Sequence, residues 1–206
     1  MFYEPHKKNH GLARNPFNSL IIPRPIGWIS SIDKDGLFNL APYSFFNAVC
    51  YQPPTVMFSA AIGSASDGMK DSLRNIESSG EFVCNLATWE TRKQMNQTSA
   101  TVTPETDEID LAGLTAIASK LVKVPRIAEA PVHLECRYIK SVEIPHWDEP
   151  DQYFVVFGEV IGIHIDDSII VDGMVRYDLM KPIGRLGYRD YTAVNDVFSM
   201  DRPGWP

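Results

Sequence analysis

The chain has 206 residues, of which 44% are hydrophobic and 22% are charged, as in an ordinary globular domain. This composition argues against disorder, collagen and coiled coil. A chain of this length also buries enough surface for its own core. Nineteen basic residues against 26 acidic ones give a net charge of −7, and no run of basic residues forms a local exception. We therefore expect no nucleic-acid partner. No stretch reaches the ~18 apolar residues of a membrane span, and the N-terminus lacks the apolar core of a signal peptide, which predicts a cytoplasmic protein with no membrane partner.

Short apolar or alternating segments, separated by turn residues, predict a mainly β protein. Asp33 and Gly36 favour a hairpin turn between the first two strands, because both residue types tolerate positive φ. The second strand should therefore return antiparallel to the first. In chain order, the predicted strands cover residues 25–32, 37–41, 55–61, 82–87, 131–142 and 153–165.

Two helices interrupt these strands. Leu73 and Ile76, at helical spacing, predict a helix over 69–79, with Asp67 as its N-cap and Gly80 as its end. A second helix is predicted over 89–97, capped by Thr88. Residues 98–110 form a loop or a third short helix, and residues 145–152 form a loop. The irregular order opposes a doubly wound sheet and favours an antiparallel barrel or sandwich with added helices, two folds that periodicity does not separate.

Residues 63–72 are a candidate anion site. Small and hydroxyl residues precede a helix here, and Lys70 and Ser72 fall in its first turn. Free backbone N–H groups, an ammonium and a hydroxyl are suited to a phosphate. The alternative, an ordinary capped helix with a solvated lysine, is the commoner use of these residues. The chain has no dinucleotide-binding glycine motif, no P-loop and no G-x-S-x-G.

Two further groups of residues have both a functional and an ordinary interpretation. Residues 39–47 combine amides and hydroxyls with three aromatic rings, which suit a planar polar ligand, or else form a core strand ending in a loop with Phe45 and Phe46 partly in the core. His164 and Asp166 lie two apart on one strand face, as metal ligands or as a histidine positioned by a carboxylate. Without a third ligand we predict no metal site, and a histidine bonded to solvent or backbone is favoured.

The three cysteines are far apart and form no C-x-x-C pair, which indicates reduced thiols. Cys50, Cys84 and Cys136 all lie in apolar or strand contexts. A buried thiol packs as a small hydrophobic group, so we predict that all three are core residues.

An ordered series of motifs extends along most of the chain. It comprises RPIGWISS (24–31), NLAPYSFFN (39–47), PP (53–54), FS (58–59), KDS (70–72), NI (75–76), GEFV (80–83), MN (95–96), AGL (112–114), GEV (158–160) and RLG (185–187). From about residue 23 to residue 188 the chain thereby resembles the flavin reductase-like family, which includes flavoredoxins and monooxygenase reductase components such as nitrilotriacetate monooxygenase component B. The resemblance implies one FMN-binding domain over 1–206, with a core at 23–188 and an irregular tail at 189–206. Its expected fold is a split β-barrel of Greek-key topology, in a homodimer with the flavin near the subunit interface.

The same resemblance implies the site residues. Lys70, Asp71 and Ser72 match the segment that holds the FMN phosphate. Arg185 is expected to reach the flavin ring, and His164 to lie by the nicotinamide pocket, so these two are the catalytic candidates. The remaining expected cofactor contacts are Trp28, Ser30, Ser31, Ser44, Phe45, Phe46, Asn47, Ser59 and Ala60.

The implied function is that of an NAD(P)H-dependent flavin oxidoreductase. It would transfer a hydride from NADH or NADPH to FMN and supply reduced flavin to a partner monooxygenase. The alternatives are a flavoredoxin-like carrier, which passes electrons from tightly bound FMN to a protein acceptor, and a non-catalytic FMN-binding protein. The sequence does not distinguish NADH from NADPH, since no ribose-reading residue can be placed in it.

Overall fold

Strands dominate the computed structural model, which describes residues 1–61, 70–103, 106–145, 147 and 153–204. The strands are β1 (Arg24–Pro25), β2 (Gly27–Ile32), β3 (Phe38–Tyr43), β4 (Phe46–Tyr51), β5 (Pro54–Ala61), β6 (Glu81–Leu86), β7 (Ala116–Ile117), β8 (Arg126–Ile127), β9 (Val132–Ile144), β10 (Tyr153–Ile165), β11 (Ile170–Val171), β12 (Met174–Val175), β13 (Ile183–Arg185) and β14 (Tyr191–Ala193). The α-helices are α1 (Phe17–Leu20), α2 (Asp71–Ser79), α3 (Arg92–Gln97), α4 (Glu108–Leu111) and α5 (Tyr177–Met180). No helix within these ranges is long and apolar enough to cross a membrane.

Seven strands form one antiparallel sheet in the order β3-β2-β6-β9-β10-β5-β4. Its two edge strands, β3 and β4, are joined by Ser44 and Phe45 alone, a connection that spans at most about 11 Å. A flat sheet of seven strands would be about 29 Å wide. The sheet therefore curls until its edges approach, and a side chain crosses the seam: a Cβ on Gly27 of β2 would lie 2.5 Å from Cδ2 of Phe46 on β4. The mainly β prediction is confirmed, and the curl of the sheet brings β4 against β2 near the opposite edge.

Both faces of the central strands are buried. Ile29 points into a core inside the curled sheet, together with Phe58, Phe82 and Leu73 and Ile76 of α2. The neighbouring Trp28 points to the opposite face and a second core beneath α3 and α4, because side chains alternate along a strand. This double burial explains why large apolar side chains occupy consecutive positions of β2, at Trp28 and Ile29.

Most predicted elements are confirmed within a few residues. The hairpin between β2 and β3 turns at Gly36, whose φ is +91°, and Asp33 Oδ1 accepts the N–H groups of Asp35 and Leu37 at 2.8 Å. Helix α2 ends at Gly80, whose φ is +75° and whose N–H donates to the Ile76 carbonyl at 2.9 Å. The predicted N-cap Asp67 and most of the loop 145–152 lie outside the described residues.

The segment 98–110 was predicted as a loop or a third short helix, and it ends in the short helix α4, which is capped by the carboxylate of Asp107. Two boundaries differ from prediction. Helix α3 begins at Arg92 rather than at residue 89, because Thr88 and Thr91 bond each other and hold residues 88–91 as a turn. The tail expected to be irregular from residue 189 begins instead with β14, which pairs with β13.

Strand β4 was not predicted, and it corrects one of the cysteine assignments. Only its first residue is partly buried, because β4 is the outer strand of the sheet and pairs on one side with β5. Cys50 is therefore exposed rather than in the core, and its Sγ lies 3.1 Å from the carbonyl oxygen of Pro53. Cys84 and Cys136 are buried as predicted.

Candidate functional site

A wide cleft of about 680 Å³ opens beside β1 and the β13–β14 hairpin. This volume falls in the range of cofactor and substrate pockets. Its lining includes three arginines and no carboxylate, so the cleft is locally basic in a chain of net charge −7. The sequence contains no run of basic residues, and the fold instead assembles these arginines from distant segments. The lining residues are Asn15, Asn18, Arg24, Ile26, Pro42, Ser44, Met95, Asn96, Ser99, Arg185, Tyr188, Arg189 and Tyr191.

Strand pairing brings two of the arginines together. β1 pairs antiparallel with β13, and Arg24 is the direct partner of Arg185 in the register. Like charges opposite each other in a sheet repel. Burial, and then the charge of Arg185, lower the pKa of Arg24 below its ordinary value. An anion bound in the cleft would relieve this repulsion.

Arg24 is a structural support of the cleft. Its side chain is buried, and its two terminal nitrogens donate to the carbonyl oxygens of Asn18, Ile21 and Leu186, the last two at 2.9 Å. Its Nε lies 3.4 Å from the Ser44 hydroxyl. Arg24 thereby fastens the N-terminal segment, the end of β3 and the β13–β14 hairpin to one another.

The other two arginines are more open to a ligand. The guanidinium of Arg185 lies 4.4 Å from the ring centroid of Tyr191 and donates to the carbonyl oxygen of Tyr188. Arg189 is exposed and makes no hydrogen bond or ion pair within the described part of the chain. Arg185 and Arg189 are thus accessible from the cleft, whereas Arg24 positions the cleft walls.

Several residues expected to contact the cofactor lie at or near this cleft. Ser44 lines it, and the ring of Phe45 lies 5.6 Å from the guanidinium of Arg24. The carbonyl oxygen of Phe45 accepts the N–H of Ser59 at 2.8 Å, which brings the β5 segment beside the β3–β4 connection. Three other expected contacts on β4 and β5 lie elsewhere. Phe46 packs over β2, Asn47 is exposed on β4, and Ala60 is in the core inside the curled sheet.

Two residues of β2 that are expected to contact the cofactor are buried and form hydrogen bonds with other residues of the chain. Trp28 is fully buried, and its Nε1 donates to the Thr98 hydroxyl at 2.9 Å. Ser30 is also fully buried, and its hydroxyl donates to the Pro125 carbonyl at 2.7 Å. Their hydrogen bonds show a structural role, and their contact with a cofactor stays a prediction.

The predicted phosphate segment divides into an exposed and a buried part. Lys70 is exposed at the N-cap position of α2, whereas Asp71 forms an ion pair with Arg74 at 2.8 Å. The hydroxyl of Ser72 is buried and donates to Asn39 Oδ1 at 2.5 Å. The same asparagine oxygen lies 3.4 Å from the hydroxyl of the buried Ser31. Of residues 70–72, Lys70 is therefore the one whose side chain is accessible to a ligand, and its role in binding phosphate stays a prediction.

His164 is held by a carboxylate, but not by Asp166. Its Nε2 is hydrogen-bonded to Oε1 of Glu135, a fully buried residue on the neighbouring strand β9. Asp166 lies beyond the end of β10 and accepts the N–H of Ser168 at 2.8 Å. The favoured interpretation of His164, with solvent or backbone as its partner, is therefore wrong. His164 is absent from the cleft lining, and its nicotinamide role stays a prediction.

Fold and cleft together define a class of protein: a mainly β, split-barrel domain with a basic cleft. Residues 19–178 match the flavin reductase like domain, and the chain belongs to that family. An uncharacterised protein of Aquifex aeolicus is 42% identical over 173 residues, 84% of this chain and 85% of its own. The structure of nitrilotriacetate monooxygenase component B from Bacillus cereus is 28% identical, with a TM-score of 0.89 over 97% of this chain and 98% of that one. A split-barrel protein from Shewanella frigidimarina shares the fold at 19% identity, with a TM-score of 0.80 over 98% and 99% of the two chains.

Part of the cleft lining was not predicted from the sequence. Arg24 and Asn96 fall inside the motifs that carry the family resemblance, so their positions were marked although no role was assigned to them. Arg189 lies in the segment that was expected to be irregular, and Tyr188 lies at its border. The family match ends at residue 178, so it does not cover this wall of the cleft.

Proposed function

We propose that the protein binds FMN at this cleft and catalyses hydride transfer to it from NADH or NADPH. The observation that carries the proposal is the basic cleft itself, in which Arg185 and Arg189 face a volume of about 680 Å³ with no carboxylate in the lining. Bound FMN would supply the redox chemistry, by accepting a hydride from the nicotinamide and passing the electrons on. The family membership supports a flavin-related activity.

The side chains of the cleft fit such a ligand. The hydroxyl of Ser44 and the amide of Asn96 can hydrogen-bond a polar ring edge, and the rings of Tyr188 and Tyr191 offer planar walls. Arg185 is placed to stabilise negative charge on the ligand without any rearrangement of the protein, because it is already fixed by Tyr188 and Tyr191.

We assign the FMN phosphate to Lys70, with the resemblance of residues 70–72 as the support. The ammonium of Lys70 is exposed at the beginning of α2, while the hydroxyl of the neighbouring Ser72 already donates a hydrogen bond to Asn39 Oδ1. Replacement of Lys70 by alanine should therefore weaken FMN binding, whereas Ser72→Ala should mainly affect stability. Unchanged FMN affinity in Lys70→Ala would overturn this assignment.

We also propose that the protein is a homodimer and delivers reduced flavin to a monooxygenase. The outer strand β4 supports the first point, since its backbone is paired on one side only and Val49 and Tyr51 are 48% and 94% exposed. The similarity to a monooxygenase component supports the second. Sedimentation velocity of the purified protein, and of Val49→Lys, tests the dimer: a monomeric native protein would contradict it.

A visible absorption spectrum tests the proposed reaction. The purified protein, supplemented with FMN and freed of excess, should show an oxidised flavin band that bleaches when NADH or NADPH is added. In Arg185→Ala the FMN dissociation constant should rise about tenfold to a hundredfold, the loss of one charge-assisted contact. Arg137→Ala is the matched control, because Arg137 is exposed on β9 and does not line the cleft.

Each other outcome of this experiment has a definite meaning. Bound flavin that stays oxidised with both donors would contradict hydride transfer and favour the electron carrier. Failure to retain any flavin would contradict the proposed cofactor.

A further inference from the structure

A second, smaller pocket adjoins the basic cleft. It has a volume of about 250 Å³, and Met95, Asn96 and Tyr191 line both spaces. Its other lining residues are Trp89, Arg92, Lys93, Ile183, Thr192 and Ala193. A continuous surface therefore leads from the arginines of the cleft, past the ring of Tyr191, to α3. A ligand longer than the cleft could occupy both spaces.

The second pocket has a floor and wall suited to a flat, partly apolar group. Met95 and Ile183 are buried and form apolar surface. Trp89 is 48% exposed, and the guanidinium of Arg92 lies on its indole, 3.8 Å from the ring centroid. Arg92 also donates to the Trp89 carbonyl oxygen, which fixes the guanidinium plane. A fixed guanidinium stacks on planar aromatic rings and also pairs with phosphate.

The pocket is cationic and lacks a competing carboxylate. Lys93 is exposed and has no hydrogen bond or ion pair among the described residues. The one nearby acid on this turn, Glu90, bonds Lys181 at 3.0 Å, which lowers its pKa, and it does not line the pocket. Arg92 and Lys93 thus present two positive charges beside an aromatic wall. This combination favours a purine group with an attached phosphate.

We propose that this pocket binds the adenosine 2′-phosphate of NADPH, and that NADPH is therefore the preferred electron donor. The inference rests on the proposed function, since it concerns the second substrate of that reaction. NADH and NADPH differ only in this phosphate, and an arginine that accommodates it is the usual basis of the distinction. The adenine is assigned to the Trp89–Arg92 wall and the 2′-phosphate to Arg92 and Lys93. The nicotinamide end then extends past Tyr191 into the basic cleft.

Steady-state kinetics provide the first test. The native protein should show a KM for NADPH at least tenfold below that for NADH. In the double variant Arg92→Ala/Lys93→Ala, the KM for NADPH should rise about tenfold more than the KM for NADH, because NADH loses only the stacking of its adenine on Arg92 whereas NADPH also loses both partners of its 2′-phosphate. Arg137→Ala is again the control. Equal use of both donors by the native protein, or an equal effect of the double variant on both, would overturn the inference.

Direct binding separates this inference from the proposed function. Tryptophan fluorescence of the full chain is titrated with 2′,5′-ADP, 5′-AMP and inorganic phosphate, without flavin or turnover. We expect 2′,5′-ADP to quench at concentrations at least tenfold lower than 5′-AMP, and the response to disappear in Trp89→Phe and weaken in the double variant. Equal responses to 2′,5′-ADP and inorganic phosphate would overturn the inference in favour of a general anion site.

Mixed results remain interpretable. Flavin reduction without a 2′,5′-ADP response overturns the pocket and leaves the reductase. A specific 2′,5′-ADP response in a protein that reduces no flavin supports the pocket and overturns the reductase. A thermal melt of each variant confirms that it is folded.

Discussion

Glu135 provides the sharpest test of the forces that hold the barrel and its surface loop together. Its carboxylate is fully buried on β9, and each oxygen has two partners. Oε1 accepts the Lys120 N–H at 2.7 Å and bonds His164, and Oε2 accepts the N–H groups of Leu121 and Val122 at 2.6 and 3.2 Å. The side chain thus fastens the loop at 120–122 to the sheet.

Replacement of Glu135 by glutamine should destabilise the protein by about 3–5 kcal/mol. Glutamine keeps one acceptor oxygen and places an NH₂ group against backbone donors, so two of the four contacts are lost. A hydrogen bond to a charged group contributes about 1.5–3 kcal/mol, and buried donors left without a partner add to the loss. For a chain of this size the melting temperature should fall by about 10 °C.

The effect should also depend on pH. Burial raises the pKa of Glu135, but hydrogen bonds from Lys120, His164 and Leu121 outweigh it, and the pKa in the folded protein lies below its ordinary value. The carboxylate therefore stabilises the fold above the unfolded pKa, about 4.3, and this contribution is lost as the pH falls through the folded pKa. Native protein and Glu135→Gln should differ most at pH 7 and converge in acid.

Urea denaturation at several pH values measures both effects. Glu81→Gln is the matched control, because Glu81 accepts a single backbone N–H, that of Lys123 at 2.8 Å, near the surface. It should cost less than about 1 kcal/mol. A loss below 1 kcal/mol in Glu135→Gln, or a pH dependence identical to that of the native protein, would refute the reasoning.

Three further predictions concern the core, the histidine and the cleft. Gly158→Ala should lower the free energy of unfolding by about 2–3 kcal/mol, because the new Cβ would lie 2.3 Å from Cζ of Phe82. Gly162→Ala, whose new Cβ has its nearest contact at 3.2 Å, should lower it by less than about 1 kcal/mol. Equal losses of the two variants in urea denaturation would contradict this. His164→Ala should lower the melting temperature and leave the KM values for NADH and NADPH unchanged, and a raised KM would instead support the nicotinamide role. FMN affinity should fall between 50 and 500 mM salt, and less steeply in Arg185→Ala; parallel salt dependences would show that this arginine does not contact the ligand.

The sheet was largely predictable because its strands carry their own patterns. β5, β6, β9 and β10 are apolar segments bounded by turn residues, and their limits agree with prediction within a few residues. β4 lacks such a pattern because its outer side is exposed and only Phe46 is partly buried. Its cysteine was consequently placed in the core.

The cleft was harder to predict because it depends on pairings between distant short strands. β1 has two residues and β13 has three, too few for any periodicity, yet their register sets Arg24 opposite Arg185. Likewise, the partner of His164 is on another strand, and a bulge between Val160 and Gly162 shifts the register on the way to it. Such contacts depend on tertiary structure, and the local spacing of residues in the sequence does not predict them.

The pairing of β1 with β13 has a consequence for the order in which the cleft is assembled during protein synthesis. Arg185 follows Arg24 by 161 residues, and a ribosome that adds about 5–20 residues per second needs roughly 8–30 s to make that stretch. The seven strands of the main sheet are all synthesised before the hairpin that carries Arg185 and Arg189. The nascent sheet can therefore begin to fold before the cleft exists, and the ligand of the proposed function can bind only after the β13–β14 hairpin has been made.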